Sequence, residues 1–215
     1  MDNDETSKRP TVRKETRMTD QDCSQAPGAS LLMAEDTAVQ LFQIAALMLG
    51  DEQEAVSLVE ETVAKVETDP CAEATVAYAE ARSLLVRTAM RRMAGLYPEA
   101  FAVPTPEPAE AASCIETDDL GAAGLTGEQF GALFSGTGRA WMRDWLDRLA
   151  PALRAVFVLR AVAGQDGEQT AESLRQSGAR GAQAWRRDQV GTAYRQALCS
   201  LANCLISSRS ALVPA

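Results

Sequence analysis

The sequence predicts an all-α protein: two small helical modules joined by a flexible acidic linker. Three observations carry this prediction. Apolar residues recur at spacings of three and four before residue 97 and again after residue 140, and no stretch alternates apolar and polar residues over the length of a strand. The residues between these blocks gather proline, alanine, glycine and acids instead. The chain of 215 residues then divides into an arm (1–30), a first helical module (31–97), a linker (98–138), a second helical module (139–206) and a tail (207–215).

Residues 1–30 lack periodicity and contain Pro10, Pro27 and Gly28, which predicts a disordered arm. From Ala34 the pattern turns helical. Ala38, Leu41, Phe42, Ala45, Met48 and Leu49 form one stripe, and Gly50 stops it. Asp51 followed by Glu54 predicts a capped second helix with Ala55, Leu58, Val59, Thr62, Val63 and Val66 on its apolar face. Asp69-Pro70 sets a third start, and this helix runs to about Leu96 with Leu84, Leu85, Thr88, Ala89 and Met93 inward, until Tyr97-Pro98 ends it.

Within the linker, Pro98, Pro104, Pro106 and Pro108 break helices, and residues 98–135 carry no Lys or Arg. Thr126 with Gln129 predicts a short capped helix to Phe134, broken at Ser135-Gly136-Thr137-Gly138. Trp141, Trp145 and Leu149 mark the next helix, and Leu153, Val156, Phe157 and Val162 another that ends near Gly164. A short helix around Glu168–Leu174 leads through Ser177-Gly178 into a long one carrying Trp185, Val190, Ala193, Tyr194, Leu198, Leu201 and Leu205. Trp141, Trp145, Trp185 and Tyr194 fall on apolar stripes and read as packing residues.

Composition removes whole classes of chemistry. The chain has no histidine, so Ser-His and Cys-His nucleophile pairs and the usual zinc and haem ligands are missing. The adjacent Glu60 and Glu61 point in different directions on a helix and make a poor catalytic pair. No catalytic residue, metal site or cofactor is expected, and the protein reads as a non-enzyme. Apolar runs fall far short of a membrane span, and the polar first 20 residues lack the apolar core of a secretory signal, which predicts a cytoplasmic protein. Cys23, Cys71, Cys114, Cys199 and Cys204 are odd in number and scattered without a C-x-x-C pair, which predicts reduced thiols.

The net charge of -9 is unevenly spread. Residues 136–215 carry eleven Arg against six acids, so the last third is basic within an acidic chain. The short helix, Ser-Gly turn and longer helix between Glu168 and Leu198 have the proportions of a helix-turn-helix, whose second helix enters the major groove. Arg180, Gln183, Arg186 and Arg187 are the candidates to reach bases and phosphates there. The acidic linker beside this basic part reads most simply as a solubilising spacer; the alternative is that it covers the basic module as a mimic of nucleic acid.

Trp145 to Gly164, WLDRLAPALRAVFVLRAVAG, resembles the opening of region 4 in extracytoplasmic-function sigma factors of the sigma-70 family, with Leu146, Leu149, Arg154, Val156, Phe157, Leu159 and Arg160 in register. Ala171, Glu172, Leu174, Ser177 and Arg187 keep that register further on. Leu47 to Val63, LMLGDEQEAVSLVEETV, is similar to the family's region 2 at Gly50, Asp51, Ala55, Leu58, Val59, Glu61 and Thr62, and Ser83 to Gly95 matches it at Leu85, Arg87 and Ala89. Ser57, Glu60, Arg91 and Gly95 depart from the family's usual Asp, Gln, Asn and Asp.

The resemblance spans about 34–97 and 139–205, and it implies a sigma region 2-like domain and a region 4-like helix-turn-helix domain. It also implies a transcription initiation or regulatory protein that binds the RNA polymerase core and promoter DNA, with an anti-sigma or other regulatory protein as a further partner. Asp51, Leu58, Glu60 and Glu61 are then expected at the polymerase, Arg87, Arg91 and Arg92 at the -10 element, and Arg180, Gln183, Arg186 and Arg187 at the -35 element. The alternative is a protein-interaction module on a sigma-like scaffold that no longer reads DNA.

Overall fold

Gly50 fixes the first corner of the chain. Its φ of +75° lies in the left-handed region that glycine enters without a Cβ penalty, and its N–H closes the preceding helix onto the carbonyl of Ala46 at 2.9 Å. Asp51 follows in extended conformation and its Oδ1 accepts from the Glu54 N–H at 2.8 Å, which starts the next helix as its sequence predicts. In the computed structural model, which describes residues 27–66, 74–103, 114–134 and 136–211, these helices are α1 (Pro27–Leu49) and α2 (Glu52–Lys65). Helix α3 (Ala74–Leu96) packs on both. The arm's residues 1–26 lie outside the described residues, and the backbone of α1 is already helical at 27, before the periodicity begins.

The second half contains α4 (Gly127–Ala132), α5 (Gly136–Arg148), α6 (Pro151–Phe157), α7 (Gly167–Arg175) and α8 (Arg187–Ala211), with 3-10 turns at Leu120–Ala123 and Ala182–Ala184. A π-helical turn, Val158–Val162, extends α6, with the Ala163 N–H reaching back five residues to Val158. The capping box predicted at Thr126 and Gln129 is present, and a second joins Asp166 to Gln169 at the head of α7. No strand occurs among the described residues, so the fold is all-α.

Both halves share one core. Leu41, Ile44, Met48, Leu58, Leu85 and Met90 from the first are continuous with Met142, Leu146, Phe157, Trp185, Leu198 and Leu201 from the second. Phe157 is central to the aromatic part, edge-on to Trp145 at 4.8 Å and to Phe130 at 6.2 Å. Polar contacts cross the same boundary. Arg82 donates to the Ala163 carbonyl at 3.0 Å, and Arg139 and Arg143 both reach Glu52. Two expected inward positions, Ala38 and Val63, are exposed.

The described parts of the expected flexible linker are built into this core. Phe101 is fully buried and Ile115, Ala123, Leu125 and Phe130 nearly so, while 104–113 lie outside the described residues. An apolar side chain outweighs the local surplus of acids and prolines once it finds a pocket. The reduced-thiol expectation is corrected as well: Cys114 is bonded to Cys199, 85 residues away, with Cα atoms 5.7 Å apart. Two scattered cysteines meet here because the linker folds back along α8, which no local spacing encodes. Cys204 retains its thiol, and Cys23 and Cys71 lie outside the described residues.

Gly50 also sits where the halves touch. A Cβ added there would lie 3.0 Å from Asp147 Oδ1 and 3.1 Å from Arg154 Nη1, on top of its positive φ. Gly50→Ala is therefore expected to cost about 1–2 kcal/mol. It should lower the urea midpoint at unchanged m-value, and an unchanged midpoint would refute the close approach.

Candidate nucleic-acid and protein interface

Chain direction after α6 is set by Gly164, with φ of +66°, and Asp166, whose Oδ1 accepts from the N–H groups of Glu168 and Gln169. Helix α7 ends at a turn through Ser177 and Gly178, where φ is +79°. The predicted tight helix-turn-helix then departs from expectation. The second helix starts only at Arg187, so Arg180 and Gln183 lie in the connection and Trp185 precedes the helix. Trp185 explains this, because its ring is fully buried and its Nε1 donates to the Phe101 carbonyl at 2.8 Å, which holds the connection against 98–103. Arg180 N–H bonds the Pro98 carbonyl, and a Cβ added at Gly181, where φ is +78°, would lie 3.1 Å from Ala102 Cα.

The four expected -35 side chains are therefore not one helical face. Arg180 is exposed and pairs with Glu99 at 2.6 Å. Gln183 donates to the Arg175 carbonyl, and Arg186 to the carbonyls of Gln183 and Trp185. Arg187, exposed in the first turn of α8, borders a polar cleft of about 690 Å³. Neither acid that could mask this group does so: Glu172 pairs with Arg175, and Asp188 makes no ion pair with a described residue.

On α3, Arg87 and Arg91 are exposed, whereas Arg92 is locked by Glu54 at 2.8 Å and Glu61 at 2.6 Å. Among the residues expected at a polymerase surface, Asp51 caps α2 and Glu60 is exposed. Leu58 is a correction, since it has no exposed area and packs in the core at the same helical phase as Ala55 and Thr62. Glu61 is half-buried between Lys65 and Arg92. The aromatic residues pack as expected: Trp145, Trp185 and Tyr194 are buried, Trp141 packs partly against the core, and Trp145 Nε1 donates to Ser200 Oγ at 3.1 Å.

Sequence reasoning raised an acidic segment covering the basic module but did not single out Asp118 or its partners. Asp118 accepts from Arg195 at 2.7 Å and lies 3.9 Å from Arg160, whose guanidinium stacks over the Tyr194 ring at 5.2 Å. Burial pushes the Tyr194 hydroxyl up in pKa, against the pull of Arg160. The one signal for this site was the acid surplus of a segment with no Lys or Arg beside an arginine-rich one.

No family model matches this chain, and no curated protein or solved structure is similar to it. Its geometry therefore stands by itself. Among the described residues no group of three metal-ligating side chains occurs, and no helix is long and apolar enough to cross a membrane.

The carboxyls of three ion-paired glutamates titrate below their ordinary value: Glu52 through its hydrogen bond to Arg143, Glu61 through Lys65 and then Arg92, and Glu172 through Arg175. A carboxyl with a lower pKa in the folded state binds fewer protons there than when unfolded. Its contribution is present above the unfolded value of about 4.5 and is lost as pH falls through the folded one. The melting temperature is expected to fall from pH 5 to pH 3, with a shallower slope for Glu61→Gln. Equal slopes in 50 mM salt would show that the Arg92 cluster contributes nothing, and high salt should flatten the wild-type slope about as much.

Proposed function

We propose that the protein is a sigma factor-like transcription initiation or regulatory protein that acts in the cytoplasm, has no enzymatic activity of its own, and binds the RNA polymerase core and promoter DNA. The observation that carries this reading is the placement of its basic residues. Arg87 and Arg91 on α3 and Arg187 at the head of α8 are exposed and without an ion pair to any described residue, in segments whose sequence resembles regions 2 and 4. Arginines left unpaired on helices suit phosphate contact. The exposed Glu60 and the α2 face around Asp51 are the polymerase side of the same reading.

The engagement of Arg180, Gln183 and Arg186 within the chain supports a second reading, a protein-interaction module on a degenerate sigma-like scaffold. Association with purified polymerase core, together with duplex DNA binding across a salt series, tests both. Under the first reading the full chain co-elutes with core, binds DNA with a steep negative salt dependence, and loses about tenfold in DNA affinity in Arg87→Ala/Arg91→Ala. Co-elution with a flat DNA response leaves the second reading standing alone, and absence of both ends the first.

A further inference from the structure

The segment from Cys114 to Asp119 is a strap across the basic face of α8. Cys114 is exposed and bonded to the half-buried Cys199 on that helix, Ile115 is buried, and Asp118 closes on Arg195 and Arg160. Asp119 caps the following 3-10 turn through the Gly121 N–H. The cleft beneath the strap holds Arg160, Arg187 and Arg195 against Asp118, Asp166, Glu168 and Asp188. Two of these acids are occupied elsewhere, Asp166 in capping α7 and Glu168 in pairing with Arg175 at 3.0 Å. Asp188 makes no ion pair with a described residue, so Asp118 is the carboxylate that neutralises Arg160 and Arg195 directly. The Arg160 guanidinium is also under-satisfied, since its Nε is buried without a partner.

We infer that the Cys114–Cys199 disulfide is a thiol-controlled latch that seats Asp118 as an internal anion on Arg160 and Arg195, and that its reduction frees this arginine pair for a backbone phosphate of duplex DNA. The inference rests on the DNA-binding half of the reading above and adds how that binding is regulated. The step is thiol–disulfide exchange with a dithiol reductant. One reductant thiolate attacks the exposed Cys114 sulfur and displaces Cys199 as thiolate; the second reductant thiol then closes on the mixed disulfide. The reductant leaves as its own disulfide, and its two electrons and two protons end on the cysteine pair as two thiols. Once the bond is open, the segment loses its covalent anchor at Cys114 and is held by the buried Ile115 at one end and the 3-10 turn at Leu120–Ala123 at the other. Asp118 then stays over the arginines through screened ion pairs and with one restraint fewer, so a competing phosphate displaces it more readily.

The test uses the full chain, oxidised or reduced with a dithiol, with amide hydrogen exchange of residues 114–125 as one readout. The second is fluorescence anisotropy with a labelled random-sequence 25-base-pair duplex at 50 and 200 mM salt. Reduction is expected to speed exchange of the strap about tenfold, to raise DNA affinity about tenfold, and to steepen the log–log salt slope by about 1–2, as one or two added phosphate contacts require. Asp118→Asn, which keeps the disulfide, should give the same gain in the oxidised protein, and Arg195→Ala should remove it. Equal strap exchange in the two states overturns the latch. Faster exchange with unchanged DNA affinity overturns the phosphate site. Absence of DNA binding in every state ends the DNA-binding reading itself, while the exchange readout still decides the latch.

Discussion

Trp185→Ala is expected to destabilise the protein by about 3–5 kcal/mol, the range for removing a fully buried large aromatic side chain. The indole contributes on two counts. Its ring has no exposed area, and its Nε1–H satisfies the Phe101 carbonyl at 2.8 Å, which truncation would leave buried and unpaired. Trp185→Phe separates these terms, since it keeps most of the apolar volume and loses the donor; about 1–3 kcal/mol is expected for it. Urea unfolding with intrinsic fluorescence from Trp141 and Trp145 gives both values. Should Trp185→Ala cost less than 1 kcal/mol, the 98–103 segment would not be fastened to the second half in this way. In that case the modules would also show separate unfolding transitions, in place of the single one that a shared core predicts.

That fastening is the part of the fold least visible in the sequence. Features set by neighbouring residues were legible: the Gly50-Asp51 corner, the Thr126–Gln129 capping box, the proline stop after Leu96 and the helical stripes of α3 and α8 all follow from chemistry within one or two turns. Features set by residues far apart were not. Phe101 lies in a stretch whose average composition reads as spacer, and one aromatic ring is lost in that average although it is among the largest buried side chains. Trp185 sits on the apolar phase of α8 in the sequence, yet tertiary packing holds it extended just after the 3-10 turn and shifts the helix start to Arg187. The candidate site was legible to the same degree. The arginines of the second half are read directly from the sequence, but their partners, Glu99 for Arg180 and Asp118 for Arg195, lie 81 and 77 positions away, where charge counting registers a surplus and does not assign a pairing.

Asp147→Ala is expected to cost about 2–3 kcal/mol, and the cost falls on Arg154 rather than on Asp147 itself. The Arg154 side chain is only 6% exposed, its Nε has no partner, and its hydrogen bond to Asp147 Oδ1 at 2.8 Å is what compensates a charge held inside the core. Removing the carboxylate strands that guanidinium, which for a fully enclosed pair costs about 3–5 kcal/mol. Asp147 is about half exposed, so water repays part of the loss and the smaller range applies. The same reasoning makes Arg154→Met far milder, because it removes the buried charge, keeps most of the volume, and leaves Asp147 its access to solvent. The double variant Asp147→Ala/Arg154→Met should therefore be more stable than Asp147→Ala alone, with a coupling energy of at least about 1 kcal/mol in a double-mutant cycle. Additive effects would mean that Arg154 is solvated in solution. Because both side chains also line the space beneath Gly50, a relaxed Arg154 would at the same time lift the penalty expected for Gly50→Ala, so the two measurements check each other at the seam between the halves.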